Sequence, residues 1–130
     1  MLIWIQVSQY YEQCIQKQKL IYFQKLANID MLTEAMNRNA YENMIRYLDE
    51  QELELHTTGV VLLDLDNLKE INDNFGHEKG DEALKLCYQC IRQAFQSEQN
   101  CFRIGGDEFA YIFHKDEKAL IADKLHKLEL

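Results

Sequence analysis

Residues 103–113 read RIGGDEFAYIF. Apolar residues lead into two glycines and two carboxylates, and then the chain turns apolar again. Cys101–Ile104 and Phe109–Phe113 therefore read as two strands around a glycine turn, a β-hairpin. The two acids at its tip are either solvated turn residues or ligands of a cation. Upstream, Val60-Val61-Leu62-Leu63-Asp64-Leu65 is a nearly unbroken apolar run ending in acid. That is the pattern of a strand buried on both faces.

The intervening and flanking segments carry helical spacing. Leu68, Ile71, Asn72 and Phe75 mark a short helix that stops at Gly76. Asp81 reads as the cap of a longer helix with Leu84, Cys87, Ile91 and Phe95 on one face. Asn37 is an N-cap candidate for a helix with Tyr41, Met44, Ile45 and Leu48 at i, i+3, i+4, i+7. The polar run EQELELHTT then leads to Gly59. Residues 116–130 read as a last helix with Ile121, Leu125 and Leu128 inward. Residues 8–29 read as a first helix with a stripe of Tyr11, Ile15, Tyr22, Leu26 and Ile29. That stripe holds fewer than three clean heptads, so pairing with a second copy and packing on its own domain both stay open. The order is helix, helix, strand, helix, helix, hairpin, helix. This predicts an α/β (α+β) domain with helices packed against a mixed sheet.

Bulk properties narrow the class. The chain has 130 residues, enough for one domain with a hydrophobic core. Fourteen basic against 22 acidic residues give a net charge of −8, which argues against a broad nucleic-acid or anionic-membrane surface. The apolar start MLIWIQVSQYY lacks the flanks of a signal peptide and is too short to span a bilayer. No direct membrane insertion and a cytoplasmic location are expected. Cys14, Cys87, Cys90 and Cys101 are expected as reduced thiols. Cys87-x-x-Cys90 could begin a zinc site, but no second pair of ligands is evident, and core packing is the plainer reading.

Two stretches could carry chemistry. Asp64-Leu65-Asp66 leaves the first strand where ligands commonly bind in α/β folds; alternatively Asp66 caps the next helix and Asp64 is solvated. If the hairpin lies beside that strand, Asp107 and Glu108 approach Asp64, and three converging carboxylates repel one another unless a cation neutralises them. Oxygen ligands favour Mg²⁺ or Mn²⁺, which points to phosphoryl or nucleotidyl transfer. The stretch LKEINDNFGHEKGD carries Lys69, Asn72, Asp73, His77 and Asp81. It is either a polar loop with capping residues or a set of groups able to read a base edge.

Together, DLDNLKEINDNFGHEKGD (residues 64–81) and RIGGDEF (residues 103–109) resemble the diguanylate cyclase family, the GGDEF domains. DMLTEAMNRNAYENMI (residues 30–45) is similar to that family's opening motif, D-x-L-T-G-L-x-N-R-x-x-F/Y. The resemblance implies a sheet similar to the palm of polymerases and nucleotidyl cyclases, with a linker helix at 1–28 and a partial GGDEF domain at 29–130. It implies that two domains, each holding GTP, meet as a homodimer and form cyclic di-GMP. Carried over by position, Asp64, the Leu65 carbonyl and Asp107 would hold Mg²⁺ or Mn²⁺. Asp107, Glu108 and Lys69 would serve catalysis. Leu68, Asn72, Asp81, Gly105 and Gly106 would contact GTP, with Asn72 and Asp81 reading guanine. An upstream sensor in a longer parent is also implied.

The chain departs from the family pattern at three places. Glu34 and Ala35 stand where the family prefers Gly and Leu; these changes are expected to alter a turn and remove bulk near the base. Gln96 and Gln99 stand where the family's product-inhibition motif places Arg and Asp, so inhibition by cyclic di-GMP there is not expected. Only 21 residues follow Phe109, where the family continues with another strand beside the first and a final helix. Weak or absent cyclase activity is therefore expected, with a non-catalytic GTP-binding or dimerising module as the alternative.

Overall fold

The computed structural model describes residues 1–51 and 56–128. Part of the polar run before Gly59, residues 52–55, lies outside the described residues, as do 129–130 of the last helix. The elements are α1 (Leu2–Asn28), α2 (Arg38–Glu50), β1 (Thr58–Asp64), α3 (Leu68–Phe75), α4 (His77–Phe95), β2 (Cys101–Arg103), β3 (Glu108–His114), a 3₁₀ turn (Lys115–Glu117) and α5 (Lys118–Leu128).

The three strands form an antiparallel sheet in the order β1-β3-β2. The hairpin of β2 and β3 is as the sequence predicts. The sheet is mixed only through an isolated parallel bridge between Met36 and Phe102. β3 is the central strand, and Phe109, Ala110, Tyr111 and Ile112 are all buried. Strand alternation sends Phe109 and Tyr111 to one face and Ala110 and Ile112 to the other.

Helices cover both faces. Leu84, Tyr88, Ile91 and Phe95 of α4 pack with Cys101, Phe109, Tyr111 and Ile121. The Phe95 and Tyr111 rings stack with centroids 4.3 Å apart. On the opposite face Ala40 and Leu48 of α2 pack on Phe102, Ala110 and Ile112, with Tyr41, Met44 and Ile45 at the margin. Asn37 caps α2, its side chain accepting from the Ala40 amide at 2.9 Å. Ile121 of α5 is buried, and Leu125 and Leu128 pack against the same core.

Several expectations change. β1 is not buried on both faces. Among the described residues it lies outermost in the sheet, and α2 covers β2 and β3, with Val60 42% and Leu62 70% exposed. Asp81 does not cap α4. The helix begins four residues earlier at His77, because Gly76 takes φ +88° and lets the chain re-enter a helix at once. α1 starts at Leu2 and buries none of its residues, so its stripe is largely exposed, while Ile29 just after it bridges Met36.

The loop 30–36 joins α1 to the sheet. Its tightness comes from Asp30, whose amide donates to the Ala35 carbonyl at 2.8 Å and whose own carbonyl accepts from Glu34 at 2.9 Å. Glu34 is held at φ +66°, a left-handed conformation that suits glycine. Glu34→Gly is therefore expected to stabilise the fold by up to about 1 kcal/mol, read as a rise in thermal midpoint. Ala35 follows Glu34 in the same loop. It is fully buried in the α4-side core, so a larger residue there would compete with Leu84 and Tyr88 for space.

Candidate functional site

The site grows from the register of β1 on β3. Asp64 is paired with Glu108, and the Leu65 amide donates to the Asp107 carbonyl at 2.9 Å. The ladder thus places the exit of one strand beside the start of the other. One carboxylate oxygen from each of Asp64, Asp107 and Glu108 lies within 4.8 Å of the other two. Asp64 and Glu108 are exposed and Asp107 is half-buried.

Like charges at this separation are costly for one another. The Asp64 carboxyl is raised above the usual carboxylate range, first by partial desolvation, then by the Asp107 and Asp66 charges and a hydrogen bond with Asp107. A divalent cation would reverse that repulsion, and an all-carboxylate donor set suits Mg²⁺ or Mn²⁺. The residues therefore fit such an ion. Among the described residues no third ligand joins Cys87 and Cys90, so a four-ligand zinc site is not assembled there. A cleft of about 190 Å³ adjoins the acids, lined by Leu62, Leu63, Asp64, Ile104, Glu108 and Phe109.

The turn that carries Asp107 is held from below. The Ile104 amide donates to the Glu108 carbonyl at 2.9 Å. Neither Gly105 nor Gly106 has positive φ. A Cβ on Gly105 would lie 2.7 Å from Glu108 Oε2, while Gly106 faces open space. The pair is thus not demanded by backbone conformation. Gly105 makes room for the Glu108 carboxylate.

Sequence reasoning missed Asp30 and Arg103. Arg103 donates through Nη1 to both Asp30 carboxylate oxygens, at 3.3 and 3.1 Å, and through Nη2 to the Gly106 carbonyl at 2.7 Å. Its side chain is 15% exposed. Asp30 also accepts from the Thr33 amide and hydroxyl, at 2.9 and 2.7 Å. Burial alone would raise the Asp30 carboxyl; the Thr33 and Arg103 hydrogen bonds and the Arg103 charge outweigh it and hold the group below its usual value. One guanidinium therefore ties the loop after α1 to the turn that presents Asp107. The available signal was a buried-strand arginine just before the glycines, matched by an acid 73 residues earlier.

The second group of site residues lies on α3 and α4. Leu68 is half-buried and packs at the edge of the α4-side core. Lys69 is exposed in the first turn of α3, and Asn72 follows it by three residues, on the same side of the helix. Asn72 Oδ1 lies directly over Gly80, where any Cβ would overlap it. Asp81, the next residue, is exposed on α4. The structure thus brings Asn72 next to the Gly80–Asp81 step and Asp64 next to Asp107 and Glu108.

A family model described as diguanylate cyclase, GGDEF domain, matches residues 27–128. Diguanylate cyclase DgcS of Shewanella oneidensis is 38% identical over 87 residues, covering 66% of this chain and 29% of its own length. Cyclic di-GMP phosphodiesterase PdeR of Escherichia coli is 40% identical over 84 residues, covering 65% of this chain and 13% of its own length. The crystal structure of the coiled coil and GGDEF domain of DgcB from Caulobacter crescentus, in complex with c-di-GMP, superposes with a TM-score of 0.81. It is 26% identical and covers 93% of this chain and 64% of that one. The chain spans less than a third of the length of such curated relatives. Among the described residues no helix is long and apolar enough to cross a membrane.

Proposed function

The chain belongs to the GGDEF-domain family of diguanylate cyclases, and we propose that its acidic end is a metal-dependent GTP site. The observation that carries this is the convergence of Asp64, Asp107 and Glu108 within 4.8 Å. Asp64, Asp107 and the Leu65 carbonyl would hold Mg²⁺ or Mn²⁺, which would neutralise triphosphate charge. Lys69 adds a mobile positive charge for the phosphates. Asn72, which packs over Gly80, and Asp81 offer donors and acceptors to the guanine edge, with Leu68 as a further contact. Gly105 and Gly106 would contact the nucleotide, with Gly106 facing open space.

The reaction proposed is the condensation of two GTP in a pair of domains. Each 3′-oxygen attacks the α-phosphorus of the other nucleotide, each α–β phosphoanhydride bond breaks, and cyclic di-GMP and two pyrophosphates result. In this reading Asp107 takes the proton of the 3′-hydroxyl, with Glu108 supporting the cation. Since each domain holds one nucleotide, the work of the protein is to align two reactants. Residues 1–28 serve as the linker helix and 29–130 as the nucleotide domain. α1, with no buried residue and Leu20, Tyr22, Phe23 and Leu26 exposed, suits pairing with a second copy and receipt of a signal from an upstream sensor. The second reading, a GTP-binding or dimerising regulatory module without turnover, is favoured by the strained Glu34 in the loop that holds Arg103.

The test is titration of GTP and GDP with and without Mg²⁺, alongside product analysis for cyclic di-GMP. Asp64→Ala and Asp107→Ala are each expected to abolish the metal-dependent gain in GTP affinity. Unchanged metal-dependent binding in both would overturn the site. Cyclic di-GMP formation supports the cyclase reading, and tight binding without product supports the regulatory one. Gly80→Ala separates base reading from metal binding. Its Cβ must displace the Asn72 amide, so GTP affinity is expected to fall about tenfold, the worth of one good hydrogen bond. Mn²⁺ binding at the acids should stay unchanged.

A further inference from the structure

Lys85 stands one helical turn beyond Asp81 on α4. Asp81, Lys85, Tyr88, Gln89 and Arg92 recur at i, i+4, i+7, i+8 and i+11, so they share one face of the helix. Past Asp81 that face becomes a wall of a cleft of about 370 Å³. Lys85, Tyr88, Gln89 and Arg92 line it from α4, and Met31 and Leu32 line it from the loop after α1. Tyr88 is buried, whereas Lys85 is exposed. The neighbouring cations of α4 are engaged elsewhere. Lys79 pairs with Glu82 at 2.7 Å, and Arg92 pairs through Nε with Glu98 at 3.0 Å. Among the described residues no ion pair holds the Lys85 ammonium.

We propose that Lys85 donates to O6 of a bound guanine and so selects guanine over adenine, an assignment that rests on Asn72 and Asp81 being the base-reading pair. Guanine presents N–H donors at N1 and N2 and acceptors at O6 and N7. An ionised Asp can only accept, and a Lys can only donate. Asp81 therefore matches the N–H groups and leaves O6 in need of a donor. Asn72 Oδ1 lies over Gly80, on the side of Asp81 away from Lys85. Lys85 lies four residues past Asp81, about 6 Å along the helix at a rise of 1.5 Å per residue. That is close to the span of a purine edge. The cleft past Asp81 takes the ring, with Met31 and Leu32 as its apolar wall. Adenine carries an amine where guanine carries O6. The ammonium would then face a donor and give up water without gaining a partner.

The test compares the affinities of the full chain for GTP, ITP and ATP with Mg²⁺, in the parent, Lys85→Met and Lys85→Arg. Lys85 is exposed, so circular dichroism is expected to be the same for all three. ITP keeps O6 and lacks only the N2 amine. Lys85→Met is therefore expected to weaken GTP and ITP alike, each about tenfold, the worth of one charge-assisted hydrogen bond. ATP binding is expected to stay unchanged, so the preference for GTP over ATP falls about tenfold while that for GTP over ITP holds. Lys85→Arg keeps a donor and is expected to retain the preference for GTP. Mn²⁺ binding at Asp64, Asp107 and Glu108 is expected to be the same in all three. An equal loss of GTP and ATP in Lys85→Met would place Lys85 on the phosphates and overturn the assignment, as would a GTP-to-ATP ratio equal to the parent's. Absence of metal-dependent GTP binding in the parent would overturn both the assignment and the reading it rests on.

Discussion

Phe109→Ala is expected to destabilise the domain by about 3–5 kcal/mol, the usual cost of deleting a buried aromatic ring. Phe109 is fully buried. Its ring lies nearly parallel to Tyr88, with centroids 6.4 Å apart and an interplanar angle of 9°. It sits one residue after Glu108 and pairs with Leu63 across the sheet, so it anchors the strand start that positions the acids. A domain this size has a total stability of only about 5–15 kcal/mol, so the variant should approach unfolding. Urea denaturation followed by circular dichroism measures the loss. A change under 1 kcal/mol would show that β3 is not the centre of the core.

Arg103→Ala has the second largest expected effect. It removes three hydrogen bonds at once and takes the counter-charge from the Asp30 carboxylate, whose side chain is 21% exposed. Breaking a fully buried pair costs about 3–5 kcal/mol. With both partners partly solvated here, about 2 kcal/mol is expected, since water screens part of the charge. Arg103→Lys should recover little, because an ammonium cannot bridge the carboxylate and the Gly106 carbonyl together. The pH dependence gives a separate readout. Asp30 is depressed below its ordinary value of 3.8 in the fold. Its contribution is therefore complete above that value and is lost as pH falls through the lower folded value. The parent should lose stability across this acidic window more steeply than Arg103→Ala. Identical acid profiles would show that the pair does not couple the loop to the turn.

Much of this architecture was legible from the sequence because it depends on neighbours in the chain. The Asn37 cap, the Tyr41–Leu48 stripe, the glycine-centred hairpin and the inward Ile121, Leu125 and Leu128 follow from local spacing and backbone sterics. The acids were legible too, since a strand exit and a hairpin tip are both marked by an apolar run meeting Asp. What could not be read was which strand would be central. VVLLDL and FAYIF are equally apolar, and only packing decides that β3 lies between β1 and β2 and that α2 covers β2 and β3. The start of α4 was misplaced because Gly76 was read as a stop alone. At φ +88° it ends one helix and begins the next.

The sequence by itself determined the family, the hairpin and the carboxylates of the candidate site, because motifs and turns are written in short-range order. The tertiary structure alone decided that Arg103 belongs to Asp30, that Gly80 makes room for Asn72, and that β3 lies between β1 and β2. Each of these depends on distance in space between residues far apart or on different elements, where hydrogen-bond geometry and excluded volume act.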